Sequence, residues 1–196
     1  MATKGEQTRE KILAEARLVF KRKGFAATTI NDLLDAAGTT KGNLYFHFAD
    51  KEAIGLAVLK REQQLFYQSL DRVFAEATPP AQGLDHFLRQ ALENQSQQRF
   101  IGGCLFGNMA LEASDTSPVF TRLVQEVFNE WNTRLEQHIR LAQRDRQIRT
   151  DIPAGDLAEL IVAVIEGGIM QSRLHKSESP LKQSLNALRR ILEIKI

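Results

Sequence analysis

The chain has 196 residues, of which 43% are hydrophobic and 26% charged, and its formal net charge is +2 at pH 7. These values describe a globular protein of one or two domains and exclude wholesale disorder. The one cysteine, Cys104, excludes an intramolecular disulfide, and the N-terminus lacks the apolar stretch of a signal peptide. The most apolar segment, residues 160–170, is too short to span a bilayer and contains Glu166. We therefore expect a cytoplasmic protein without a membrane partner.

The N-terminal third of the chain is mildly basic. Residues 1–60 contain 10 Lys and Arg residues against 7 Asp and Glu residues, a balance of +3, while the remainder has a balance of −1. A basic region of this kind is compatible with a polyanionic partner such as nucleic acid. Ordinary surface charge explains the same numbers equally well, so charge alone does not select a function.

Two amphipathic helices are predicted at the start of the chain. The first extends from about Thr8 to Lys23 and ends at Gly24, after three basic residues that suit the negative end of a helix. The second covers residues 30–37, with apolar side chains at positions i, i+3, i+4 and i+7. Thr29 is its predicted N-cap, and Asp32 three residues later completes a capping-box-like pair.

A tight turn at Gly38-Thr39-Thr40 and a short third helix, Lys41 to about His47, complete a predicted helix-turn-helix. Gly38 suits the left-handed backbone conformation that such a turn needs. The second helix of this motif enters the DNA major groove with its N-terminal residues toward the bases. Those residues are Thr40, Lys41, Gly42 and Asn43, and an asparagine can pair bidentately with adenine. A structural helical hairpin with polar exposed residues is the alternative.

Helices are also predicted throughout the rest of the chain, and no segment has the alternating pattern of a strand. A long fourth helix begins after Asp50 and continues to about Ala77, where Thr78-Pro79-Pro80 breaks it. Later helices are predicted near residues 84–98, 104–114, 118–146, 154–175 and 180–194. We expect an all-α fold with an N-terminal three-helix DNA-binding domain (1–50) and a larger C-terminal helical domain (51–196), with the helix at 51–77 as a bridge.

A longer motif surrounds the helix-turn-helix. It reads Gly24-Phe25-x-x-Thr28-Thr29-Ile30, then Ala37-Gly38-Thr39-Thr40-Lys41-Gly42-Asn43-Leu44-Tyr45-x-His47-Phe48-x-Asp50-Lys51-Glu52. This stretch resembles the DNA-binding domain of the TetR/AcrR family of transcriptional regulators. The resemblance covers about residues 6–66, and its motif about 28–47. It implies a DNA operator as partner and, most often in this family, repression.

The resemblance also implies a role for individual residues. Groove-facing positions are Thr40, Lys41, Gly42 and Asn43, and the implied phosphate contacts are Thr28, Thr29, Tyr45, His47 and Lys51. Leu44, Phe46 and Phe48 are expected in the core instead. Helix N-termini favour phosphate, which supports the position of Lys51 at the start of the fourth helix.

For the C-terminal domain, the resemblance implies a small-molecule effector and a homodimer formed through the last two helices. Leucines in the last helix, and apolar residues with Gly168 in the preceding one, form two apolar seams at helical spacing. The predicted interface residues are Leu157, Ile161, Val164, Gly168, Leu181, Leu185, Leu188 and Leu192. The alternative is that both helices pack only within one chain.

Residues 101–108 are the most unusual stretch of the C-terminal half. Their Gly-x-x-x-x-Gly spacing lacks the Lys-Ser/Thr of a phosphate loop, so nucleotide binding is rejected. We expect Cys104 in the first turn of a helix, where the helix dipole favours a thiolate. Some TetR-like regulators with a similar Gly-Cys-Leu pattern sense electrophiles or oxidants through such a thiol. An inert, buried cysteine is the alternative.

An apolar or aromatic effector is favoured over a charged one. The candidate pocket residues are Phe66, Phe74, Phe87, Cys104, Phe106, Met109, Phe128, Trp131 and Ile165. Ordinary core packing of most of these side chains is the alternative. No cofactor, metal site or enzymatic activity is expected, because the four histidines are scattered and no Gly-x-Ser-x-Gly motif occurs. An enzyme and a plain protein-interaction domain are the competing classes.

Overall fold

The structure is a computed structural model and describes residues 3–75 and 79–194. Within these residues it contains α-helices and no β-strand, which confirms the predicted all-α fold. The predicted helix end at Ala77 and the break at Thr78 lie outside the described residues. The helices are α1 (Lys4–Lys23), α2 (Ile30–Ala37), α3 (Lys41–His47), α4 (Lys51–Ala75), α5 (Pro80–Gln97), α6 (Leu105–Ala113), α7 (Pro118–Arg144), α8 (Ala154–His175) and α9 (Ser179–Leu192).

Side-chain caps fix where the first helices begin. Thr29 and Asp32 form the predicted capping box of α2, and Gly38 ends that helix in the left-handed conformation, at φ 56° and ψ 46°. A second capping box, between Thr3 and Glu6, starts α1 about one turn before the predicted position. Across the described ranges, no helix combines the length and apolar character that a membrane crossing requires.

The chain divides into two compact units. Unit 1 comprises Met1–Gln64 and Cys104–Val124, and unit 2 comprises Leu65–Gly103 and Gln125–Ile196. This division differs from the predicted boundary after residue 50. The three N-terminal helices are joined in unit 1 by the first part of α4, all of α6 and the start of α7. The boundary differs because tertiary contacts, which local sequence does not reveal, hold these segments together.

Aromatic packing explains why the start of α4 belongs to unit 1. The ring of Phe25, in the loop between α1 and α2, meets that of Phe120 edge-on, with centroids 4.8 Å apart, and it also contacts Phe20. Gly55 of α4 lies against this pair. A Cβ at that position would be 2.7 Å from Phe25 and 2.9 Å from Phe120, so glycine permits the close approach.

In unit 2, α8 and α9 pack closely on each other. A Cβ at Gly168 would lie 2.8 Å from Cδ1 of Leu181 and 3.3 Å from its Cα, and Ser172 accepts a hydrogen bond from the Leu181 backbone N–H at 2.9 Å. The α9 leucines of the predicted dimer seam are buried within the single chain, as are the α8 residues Leu157, Ile161 and Gly168. Their assignment as partner contacts is therefore corrected, because side chains already buried within one chain offer no surface to a partner.

Candidate DNA-binding surface and effector site

The N-terminal half of α3 exposes polar residues to solvent, and the next residue, Leu44, anchors the helix in the core. Lys41, Gly42 and Asn43 are exposed, whereas Leu44 is fully buried beneath them. Thr40 is the N-cap, and its hydroxyl accepts a hydrogen bond from the backbone N–H of Asn43 at 3.3 Å. A Cβ at Gly42 would meet no atom within 4 Å, so this position leaves open space for an approaching molecule.

Asn43 carries the amide group that is suited to base recognition. Its Nδ2 donates to the Thr39 hydroxyl at 3.0 Å, across one helical turn. The side chain is exposed, so this internal bond can be exchanged for a bidentate pair with a base edge at the surface. Thr39 thus orients the predicted base-reading residue Asn43, although the sequence analysis placed Thr39 only in the turn before α3.

Aromatic side chains flank this surface. Tyr45 is exposed, with Nζ of Lys41 6.0 Å from its ring centroid, and His47 is half-buried. Phe46 is 81% exposed and lies edge-on to the His47 ring, so its predicted place in the core is wrong, whereas Leu44 and Phe48 are buried as predicted. Helical geometry could have predicted this difference, because the side chains of residues 44 and 46 point about 200° apart around a helix.

Two predicted phosphate ligands have other tasks. Thr28 is 2% exposed, and its hydroxyl donates to the Gly24 carbonyl at 2.5 Å. The ammonium of Lys51 donates to the backbone carbonyls of Phe25, Ala26 and Thr28 at 3.0, 3.3 and 2.9 Å. An ammonium group has three hydrogens, so these bonds occupy all of them. Both residues fix the loop between α1 and α2. Thr28 is too buried for a phosphate contact and its assignment is corrected, whereas a contact by Lys51 would have to replace one of its bonds to the loop and stays a prediction.

Thr29 is exposed but already engaged in its cap. Its hydroxyl and its backbone N–H each donate to Oδ2 of Asp32 at 2.7 Å. The same carboxylate pairs with Lys23 at 2.6 Å, and these bonds, led by the one from Lys23, hold the pKa of Asp32 well below its usual value. A phosphate contact by Thr29 would have to replace the bond to this ionised carboxylate, so it stays a prediction.

The loop between α1 and α2 is also held by α6. Oε2 of Glu112 accepts a hydrogen bond from the backbone N–H of Ala26 at 2.9 Å. A Cβ at Gly24, where φ is +86°, would lie 2.9 Å from the same carboxylate. Sequence reasoning missed Glu112, because residues 86 positions apart show no local pattern.

Cys104 is the N-cap of α6 and lies just before the first turn in which it was expected. Its half-buried side chain accepts a hydrogen bond from the Gly107 backbone N–H, with Sγ 3.4 Å from the nitrogen. Phe106 and Met109 are buried in the same helix. These three candidate pocket residues therefore belong to unit 1, whereas the other candidates belong to unit 2.

The structure brings five of the candidate pocket residues together in unit 2. Trp131 lies beside three phenylalanine rings, with centroid distances of 5.1 Å to Phe66, 5.9 Å to Phe128 and 6.2 Å to Phe87, and Phe74 lies 5.8 Å from Phe87. We call these five residues, together with His138, the aromatic cluster. Ile165 is buried in α8 of the same unit.

His138 completes the aromatic cluster and was not singled out from the sequence. Its ring stacks on Phe74, with centroids 4.4 Å apart, and its Nε2 lies 2.7 Å from the Pro80 carbonyl oxygen. Burial lowers the pKa of His138, against the opposite effect of that hydrogen bond. A neutral imidazole with Nε2–H donating to the carbonyl satisfies both observations.

An exposed apolar strip lies on the side of α8 that does not face α9. Its residues follow helical spacing, and Met170 and Leu174 are 61% and 75% exposed. A Cβ at Gly167 would meet no atom within 4 Å, in contrast with the crowded Gly168. We call this strip, with Ile191 of α9, the apolar face; it consists of Leu160, Ala163, Val164, Gly167, Met170, Leu174 and Ile191.

A helix-turn-helix with an exposed recognition helix, followed by a larger helical unit, defines a DNA-binding regulator. The model of "Bacterial regulatory proteins, tetR family" matches residues 12–58, and that of "Tetracyclin repressor-like, C-terminal domain" matches residues 80–188. The chain belongs to the TetR family of transcriptional regulators.

Individual relatives agree with this assignment over nearly the whole chain. The transcriptional repressor DhaR of Mycobacterium sp. (strain GP1) is 28% identical, covering 92% of this chain and 89% of DhaR. The transcriptional regulator AcuR of Cereibacter sphaeroides is 30% identical, covering 81% of this chain and 73% of AcuR. A solved TetR regulator from Chloroflexus aurantiacus has a TM-score of 0.88 at 29% identity, covering 97% of this chain and 96% of that chain.

Proposed function

We propose that this protein is a ligand-responsive repressor that binds a pseudo-palindromic DNA operator as a homodimer and leaves it when a small effector acts on the C-terminal domain. The observation that carries the proposal is the exposed N-terminal half of α3, where Asn43 is exposed and the adjacent Leu44 is buried and anchors the helix. We also propose a cytoplasmic location, because that is where a regulator reaches its DNA operator.

The exposed residues divide into two kinds of DNA contact. Asn43 and Thr40 are suited to base edges, and Gly42 lets the backbone approach the groove without a side chain in the way. Lys41, Tyr45 and His47 are suited to the phosphate backbone, which positions the recognition helix without reading sequence. Phe46 adds an exposed apolar ring that can contact a thymine methyl group.

A two-fold dimer presents two recognition helices to two half-sites, which accounts for a pseudo-palindromic operator. The apolar face of α8 and α9 supports such a dimer, since several exposed apolar side chains at helical spacing are typical of an interface. Gly167 lets a partner helix approach closely there. The proposed interface is thus the apolar face and not the buried leucines of α9.

Release of DNA requires an effector that prefers a state in which the recognition helices fit the operator poorly, because a ligand shifts an equilibrium only by its differential affinity. The aromatic cluster supports a non-covalent apolar or aromatic effector. Cys104 supports a second candidate, a thiol-reactive effector, because its half-buried thiol caps α6, the helix whose Glu112 holds the α1–α2 loop. α4 contributes residues to both units and is the proposed bridge.

The proposal is tested by selecting DNA that the purified protein retains from a random pool. The expected result is one enriched sequence with two-fold symmetry and half-sites about one helical turn apart or somewhat more. Light scattering of the complex should then give two chains for each duplex. An enzyme or a protein-interaction domain would enrich no sequence, and that outcome would reject the proposal.

A further inference from the structure

Trp131, the single tryptophan of the chain, carries a buried indole N–H. The residue is 6% exposed, and its Nε1 atom is buried with no hydrogen-bond partner among the described residues. A buried indole N–H normally finds a partner, because burial removes the hydrogen bond that it makes to water. A buried donor that has no described partner, on a residue packed against phenylalanine rings, therefore marks a place where an acceptor belongs.

The rings around Trp131 supply apolar contact and no acceptor oxygen. Phe66 meets the indole at an interplanar angle of 83°, Phe87 at 75° and Phe128 at 27°. Phe66, Phe74 and Phe128 are half-buried, so part of the cluster is exposed to solvent. Binding sites for small apolar molecules are lined by aromatic rings, with a few polar groups that fix the orientation of the ligand.

Two basic side chains of α7, Arg134 and His138, offer no unpaired positive charge to a ligand of the cluster. Arg134, one turn after Trp131, bonds to Glu130 at 2.6 Å and also to Asp71, and its guanidinium lies 4.8 Å from the ring centroid of Tyr67. Burial lowers the pKa of His138, which favours its neutral form, and its Nε2 lies 2.7 Å from the Pro80 carbonyl oxygen. An anionic ligand would therefore lose its hydration without gaining an unpaired cation, which favours an uncharged ligand.

We propose that the indole N–H of Trp131 is the donor that recognises the effector, and that the effector is a neutral, flat, apolar molecule with a carbonyl or similar uncharged acceptor oxygen. This inference rests on the proposed function and names its ligand class. The phenylalanines bind the apolar body, while the indole distinguishes a carbonyl compound from a hydrocarbon of the same shape. A site built to satisfy one polar group discriminates in this way.

The experiment uses a matched pair of probes, acetophenone and ethylbenzene, which have similar size and differ by a carbonyl in place of a methylene. Because the chain has one tryptophan, the indole N–H gives one assignable NMR resonance in the full-length protein. Acetophenone should move this resonance downfield and bind about tenfold more tightly than ethylbenzene, as one additional hydrogen bond would. Benzoate should bind more weakly than acetophenone.

Variants separate the donor from the apolar surface. Trp131→Phe removes the N–H and should make the two probes bind equally, whereas Phe128→Leu keeps the donor and should weaken both by a similar factor. Equal affinity of both probes for the wild type, an unmoved indole resonance, preference for benzoate, or no binding of either probe overturns the inference. The wild-type resonance needs no variant, so the test stands even if Trp131→Phe fails to fold.

Operator binding is measured on the same samples without probe. A protein that binds its operator but fails the probe tests contradicts the ligand class alone. A protein that distinguishes the probes as expected but enriches no DNA sequence contradicts the proposed function alone.

Discussion

The carboxylate of Glu112 in α6 holds the backbone N–H of Ala26, in the loop that leads into the helix-turn-helix, at 2.9 Å. The same loop is held from α4, because Lys51 donates to the carbonyl of Ala26 at 3.3 Å. Ala26 is thus bonded to two helices, since its backbone N–H donates to α6 and its carbonyl accepts from α4. Movement of α6 or α4 would reach α2 through this segment.

Removing the carboxylate should loosen the segment. Glu112→Ala leaves the Ala26 N–H without its acceptor, and we expect a loss of about 1–2 kcal/mol of unfolding free energy and a weaker operator complex. Amide hydrogen exchange at Ala26 should become faster. Glu112→Gln keeps an acceptor oxygen in place and serves as the control. Unchanged exchange at Ala26 in the alanine variant would mean that the bond does not hold the loop.

Lys51 is expected to affect stability rather than phosphate binding. Lys51→Met retains much of the side-chain length but removes three donors, so the free energy of unfolding measured with urea should fall by about 2–3 kcal/mol. The slope of log affinity against log salt for operator binding should stay unchanged, since no phosphate contact is lost. A slope reduced by about one unit, with unchanged stability, would show instead that Lys51 contacts a phosphate.

The apolar face is expected to form the dimer interface. Leu174 is 75% exposed in the single chain, so Leu174→Arg should leave the fold intact and weaken a dimer by about 3–5 kcal/mol through an unpaired buried charge. Light scattering should then show monomers. Leu111→Arg, at an 85% exposed leucine of α6, is the matched control and should remain dimeric. A dimer that survives Leu174→Arg would move the interface elsewhere.

A thiol-reactive effector would act through Cys104. Treatment with N-ethylmaleimide should release the wild-type protein from its operator, and mass spectrometry should show one adduct, because the chain has one cysteine. Cys104→Ser keeps a capping side chain at the start of α6 and should bind DNA normally but resist release. Equal release of the serine variant would exclude the thiol as sensor and leave the non-covalent effector.

Local signals predicted the helices well, because caps and periodicity act within a few residues. Thr29 with Asp32 and the left-handed Gly38 lie where the sequence indicated. The tasks of Thr28 and Lys51 could not be read in this way, since they depend on carbonyls brought near by folding.

The leucines of α9 show a second limit of sequence reasoning. Their periodicity identifies an apolar face correctly, but periodicity does not tell which surface covers it. The adjacent Gly167 and Gly168 show which side of α8 is covered, because Gly168 packs against Leu181 while Gly167 faces open space. Five of the six residues of the aromatic cluster were among the predicted pocket candidates, whereas His138 and the lack of a described partner for the Trp131 N–H became visible only in the structure.

The most direct test of the account is the effect of Asn43→Ala on sequence discrimination. Fluorescence anisotropy would compare the selected operator with a scrambled duplex of equal length at one salt concentration. Loss of a bidentate base contact should weaken operator binding by about 1–3 kcal/mol per half-site while leaving the scrambled duplex nearly unaffected. Equal weakening on both duplexes, or none on either, would contradict the claim that α3 reads the DNA sequence through Asn43.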